Sequence, residues 1–152
     1  MKCFAIIISA FAASTTASVV VRGGTHMTQA AAQTKLGAAG IHASSSGGCT
    51  RKNNPRCTSY DGILSGTVDK VIALKKACGC AITITGGTEA GHAPGKYSHA
   101  NGYKVDLHHA SEIDSFVTTK KKSGFIRIKN RGRFPQWKSP AGDIYCVGPT
   151  QL

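Results

Sequence analysis

ITITGGTEAGHAPGKYSHANGYKVDL, residues 82–107, holds the clearest local pattern in the chain and most of its chemistry-bearing side chains. Ile82, Thr83, Ile84 and Thr85 alternate apolar and hydroxyl side chains, the period of a half-buried strand, and Gly86-Gly87 ends it. A loop carrying Thr88, Glu89, His92 and Pro94 follows. Asn101-Gly102 is a pair that tolerates the positive φ of a tight reversal, and residues 103–107 read as the return strand. A two-residue turn there sets His99 opposite Lys104 and makes Asp106 its diagonal neighbour on the same face, about 7–8 Å away. An imidazole and a carboxylate so placed can reach one ion, since zinc takes His nitrogen and Asp oxygen at roughly 2.0–2.2 Å. A catalytic zinc normally has three protein ligands plus water, so the pair is half a site. By spacing alone, a His and an Asp beside a turn are more often surface polar residues.

Two histidines are candidates for the missing ligand. His92, ahead of His99 in a loop bounded by Gly91 and Pro94-Gly95, is either a ligand or a substrate contact. His108 shares a strand face with Asp106. The competing reading of each is a solvent-facing histidine. Glu89 is the one glutamate near the motif, and so the candidate general base.

Ser98-His99, Gly102 and Asp106 resemble the S-x-H-x-x-G-x-A-x-D signature of zinc D-Ala-D-Ala carboxypeptidases and related peptidoglycan peptidases, whose fold is shared by Hedgehog-type domains. The phrases GGTEAGHAPGKYSHANGYKVDL and PQWKSPAGDIY also resemble small secreted fungal proteins of that class. The likeness covers roughly residues 49–145. It implies that His99 and Asp106 are zinc ligands, that Ser98 helps hold substrate, and that Gly102 allows the close turn between the ligands. It also implies hydrolysis of peptide bonds in bacterial cell-wall peptidoglycan. Three departures stand against it: Lys104 replaces a small residue, Thr88-Glu89 stands where an Arg often binds a substrate carboxylate, and no Glu or His follows Tyr145. The likeness stops after Asp143-Ile144-Tyr145, which leads to the expectation of a truncated or misjoined C-terminus.

Residues 1–17 combine Lys2, an apolar run and small residues ending at Ala17, the pattern of a secretory signal peptide. The run is too short for the roughly 20 residues a bilayer span requires. Residues 18–48, rich in Ala, Gly, Ser and Thr, read as a low-complexity leader or linker; His26 and His42 within it receive no role. The folded unit is then expected over residues 49–152. Against 7 acids the chain has 19 Lys and Arg, a net charge of +12, which favours anionic partners such as cell-wall polymers; the plainer reading is solubility.

Of six cysteines, Cys3 lies in the apolar leader. Cys49 and Cys57 bracket a short loop that a disulfide could close. Cys78 and Cys80 are spaced too tightly for an easy mutual bridge, and Cys146 makes the remaining number odd. A structural cysteine zinc site is the alternative to disulfides. TVDKVIALKKA, residues 67–77, has a helical apolar period, a start capped by Ser65 or Thr67 and a stop at Gly79. Residues 111–119 read as a second short helix capped by Ser111. Phe125, Ile126 and Ile128 make a strand whose other face is basic.

The fold class expected is α+β, a small antiparallel sheet with two or three helices, Hedgehog/DD-peptidase-like. The expected function is that of a secreted zinc peptidase acting on peptidoglycan; the alternative is a non-catalytic secreted wall-binding protein. A nucleic-acid surface built from the basic strand with Phe134 and Trp137 lacks a supporting motif. A secreted nuclease is the weakest reading, because no paired His-Glu spacing stands out.

Overall fold

The computed structural model describes residues 23–147; the expected signal peptide and its cleavage site lie outside them, as do residues 148–152. The described chain is α+β. Helices α1 (Gln29–Ala38), α2 (Ser65–Cys78) and α3 (Ser111–Thr118) and a single turn α4 (Lys120–Ser123) accompany six short strands: β1 (His42–Ala43), β2 (Thr83–Gly86), β3 (Asp106–Leu107), β4 (Ile126–Arg131), β5 (Phe134–Lys138) and β6 (Ile144–Cys146). The strands form two sheets, β1-β2-β3 and β4-β5-β6. The single antiparallel sheet expected from the sequence is corrected twice over: there are two sheets, and β1 runs parallel to β2.

β2 is the centre of the first sheet. Ile82 and Ile84 are buried while Thr85 is exposed, as the alternation predicts. α2 follows its apolar period, burying Val68 and Val71, and ends at Gly79 with φ +65°, where a left-handed residue closes the last carbonyls and glycine has no Cβ to clash. Its start differs from expectation. Leu64 is the cap residue and no side chain caps the helix; Ser65 Oγ instead accepts from Thr25 N at 3.1 Å, and Thr67 Oγ1 donates to Gly102 O at 2.7 Å. α3 likewise begins after Ala110 without a side-chain cap, although Ile113 and Val117 are buried as their spacing requires.

The leader expected over residues 18–48 is overturned for residues 23–48, which fold with the rest. Thr28 Oγ1 accepts from Ala31 N at the start of α1. Ala32, Leu36 and Ile41 join Tyr60, Ile63, Val68, Ile84 and Ile113 in one core. Small residues make a thin helix, and alanine is the best helix former, so a composition that resembles a linker also suits a helix packed closely on α2. The folded unit therefore starts ahead of Cys49.

Cys49 and Cys57 are bonded, as expected. Cys78 and Cys80 are bonded as well, which corrects the sequence expectation: the left-handed Gly79 between them turns the two side chains to the same side. Cys146 is free and exposed, so cysteine zinc binding has no support among the described residues. The basic strand is β4, paired with β5 in an antiparallel meander. Trp137 and Tyr145 pack against the core.

Candidate metal centre

The hairpin expected at Asn101-Gly102 does not form. A two-residue type I′ turn needs positive φ at both positions, and of the two only Gly102 has it, at +78°. Residues 98–103 instead form a compact loop, with Gly102 N bonded to His99 O at 2.8 Å and Tyr103 N to Ser98 O at 3.1 Å. Gly102 O is held by Leu64 N and Thr67 Oγ1 at the start of α2. A Cβ on Gly102 would collide with Gly62 O and come within 2.9 Å of Ile63 Cα. The strand that pairs with β2 is only Asp106–Leu107, with Gly86 opposite Asp106 and a bulge before Ile84 opposite Leu107. A long loop, not a tight hairpin, thus delivers His99 to Asp106.

The two side chains converge all the same. His99 Nε2 lies 3.4 Å from Asp106 Oδ1, and His92 Nδ1 lies 3.8 Å from Asp106 Oδ2. The imidazoles of His92 and His99 stack, centroids 3.8 Å apart and planes 11° from parallel. One ligand atom from each of His92, His99 and Asp106 falls within 4.8 Å of the other two, so the group could hold a metal ion. Two imidazoles and a carboxylate are a donor set that zinc accepts, and three protein ligands leave a position for water or substrate. The Asp106 side chain is 54% exposed, so the site is open to solvent on that side. Gly86 makes the close approach possible: a Cβ there would stand 2.7 Å from Asp106 Oδ2 and 3.2 Å from His92 Cε1.

The charges reinforce one another. Burial alone would lower the His99 pKa, but the hydrogen bond and charge of Asp106 and the Gly87 carbonyl outweigh it, and the pKa is raised. Burial alone would raise that of Asp106, but His99, His92 and Lys104 outweigh it, and the carboxyl is held below its ordinary value.

Glu89 sits behind the site, 3% exposed. Its Oε2 accepts from Ser59 N at 2.7 Å, both oxygens accept from Gly87 N at 3.0 Å, and Oε1 is 2.8 Å from His92 Nε2. Burial would raise its pKa, but these hydrogen bonds prevail and lower it. A carboxylate so enclosed is not placed to act as the general base named from the sequence. Ser98 is buried too, and its Oγ accepts from Asn101 N at 3.3 Å. It builds the turn beneath His99 and faces no open surface. The serine of the resembled signature falls two residues before the histidine, at Tyr97, so the match at Ser98 is displaced by one.

His108 is exposed and is not one of the three converging residues, because its strand pairs through His108 N to Thr83 O while its side chain turns to solvent. His109 binds Asp114 at 2.6 Å, and Asp114 also accepts from Tyr145 Oη at 3.2 Å, a tie between α3 and β6. The feature hardest to see in sequence is the pairing of Glu89 with His92; a Glu-x-x-His spacing at the end of a strand was its only trace. Compared with protein-family models, with curated proteins and with solved structures, the chain finds no match.

Proposed function

We propose that the protein is a secreted, zinc-dependent peptidase-like protein that acts on peptide bonds of bacterial cell-wall peptidoglycan, on a Hedgehog/DD-peptidase-like fold. The observation that carries this reading is the convergence of His92, His99 and Asp106. His99 and Asp106 are the two residues that the resemblance to peptidoglycan peptidases designates as ligands, and His92 completes a set of three. A divalent ion held there would supply Lewis-acid activation of water and of a scissile carbonyl. The chain's own residues would bind that ion and leave its open side toward solvent at Asp106. Two disulfides suit an oxidising compartment, which agrees with the apolar N-terminal run, and the net charge of +12 suits an anionic wall. Among the described residues no helix is long and apolar enough to cross a membrane.

A second reading, a wall-binding protein without turnover, is favoured by one observation: Glu89 is enclosed and hydrogen-bonded, so the nearest glutamate in sequence is not a free base. The two are separated by measuring bound zinc in the purified protein and then the release of amines from peptidoglycan, with and without chelator. Turnover abolished by chelation is the expected result. Zinc without turnover gives the binding reading, and a protein that takes up no zinc ends the peptidase reading.

A further inference from the structure

We propose that Glu89 is the positioning residue of this centre: together with Gly87 it fixes which nitrogen of each histidine faces Asp106, so that the ion-binding lone pairs are set in advance. The inference rests on the metal reading above, and it reaches beyond it to residues that touch no ion.

An ionised carboxylate and a backbone carbonyl can only accept hydrogen bonds. His92 Nε2 lies 2.8 Å from Glu89 Oε1, and His99 Nδ1 lies 2.9 Å from Gly87 O. Asp106 is likewise only an acceptor and faces the other nitrogen of each ring, but at 3.8 and 3.4 Å its contacts are the longer ones. The single proton of each neutral ring is therefore held at the shorter contact, to Glu89 or Gly87. The lone pairs are left on His92 Nδ1 and His99 Nε2, the two atoms at 3.8 and 3.4 Å from Asp106. Metal-bound histidines commonly donate their second nitrogen to a carboxylate or carbonyl, which fixes the tautomer and the ring plane.

The arrangement is held rigidly. Glu89 cannot swing away, because Ser59 N and Gly87 N both donate to it. Gly87 serves both rings, its N–H securing the partner of His92 and its carbonyl securing His99. A side chain at Gly87 would collide with Ser59 O, so the hub admits only glycine. Two rings fixed from one short segment explain their near-parallel stacking.

The test uses the whole protein. Long-range nitrogen–proton correlation spectra of chelator-treated protein, above the titration of its imidazoles, are expected to show His92 protonated on Nε2 and His99 on Nδ1. In Glu89→Gln the oxygen of the amide can still accept from Ser59 and Gly87, while its NH2 group donates to His92 Nε2. The ring proton of His92 should then move to Nδ1 with His99 unchanged, zinc affinity by calorimetry should fall roughly 10–100-fold, and the visible spectrum of the cobalt(II) form should change. A purely structural Glu89 would lower the melting temperature without moving the tautomer. Wild-type His92 protonated on Nδ1 overturns the proposal, as does a folded Glu89→Gln protein with the wild-type tautomer and affinity. If the variant does not fold, the wild-type spectrum decides. A wild type that binds no zinc removes the metal reading, while the tautomers still decide the role of Glu89.

Discussion

Asp106 faces two imidazoles, and its pairing with His99 has a pH window that can be worked out. A raised His99 pKa means stabilisation fully present below the unfolded histidine value, near ~6.5, and lost as pH rises through the folded one. A lowered Asp106 pKa means stabilisation present above the unfolded value, near ~3.9, and lost as pH falls through the folded one. In chelator-treated protein, wild type should thus exceed Asp106→Asn in stability most between about pH 4 and 6.5. The margin should be under about 1 kcal/mol, since water screens a half-exposed pair. Denaturant melts at several pH values measure it; a difference that does not vary with pH would show that the two groups are uncoupled. Zinc competes with the proton on His99, so its affinity should rise with pH over the same range.

α1 shows how an element can escape composition. Its residues read as a linker, yet Leu36 is 1% exposed and Ala32 fully buried. Leu36→Ala should cost about 2–5 kcal/mol by denaturant unfolding, the range for emptying a packed site, whereas a linker residue would cost nothing measurable. A chain beginning at residue 49 should lack a cooperative transition, because α1 and Ile41 supply one wall of the core around β2. The loop between β2 and β3 teaches a related lesson. Its turn chemistry was legible at Gly102, but what anchors that glycine is the start of α2, distant in sequence, through Leu64 N and Thr67 Oγ1.

Across the whole molecule, positive charge is the dominant long-range feature. Arg127, Lys129, Arg131, Arg133 and Lys138 line exposed positions of β4, β5 and the turn between them. Arg127 lies over the Trp137 ring at 5.0 Å and Arg133 over Phe134 at 5.3 Å, so part of this charge is held against aromatic faces. If the protein engages an anionic wall polymer, retention on it should fall steeply between about 0.1 and 1 M salt, as the Debye length shrinks from about 10 to about 3 Å. Lys129→Glu with Arg131→Glu should weaken retention and leave zinc affinity unchanged. Retention indifferent to salt would assign it to other contacts.

Sequence alone determined what depends on neighbours along the chain. The period of β2, the apolar faces of α2 and α3, the Gly79 stop and the Cys49–Cys57 closure all follow from side chains a few residues apart, where backbone geometry dictates who shares a face. Sequence also singles out His99 and Asp106, but a loop anchored on α2, and not the expected hairpin, brings them together. Tertiary structure alone decided what depends on segments meeting from afar. It folded residues 23–48 into the core, split the strands into two sheets, chose His92 over His108 beside Asp106, and withdrew Glu89 from solvent to hold His92. Spacing cannot show such outcomes, because burial and hydrogen-bond satisfaction are settled only when distant backbone, here Ser59 against Gly87 and Glu89, closes around a side chain.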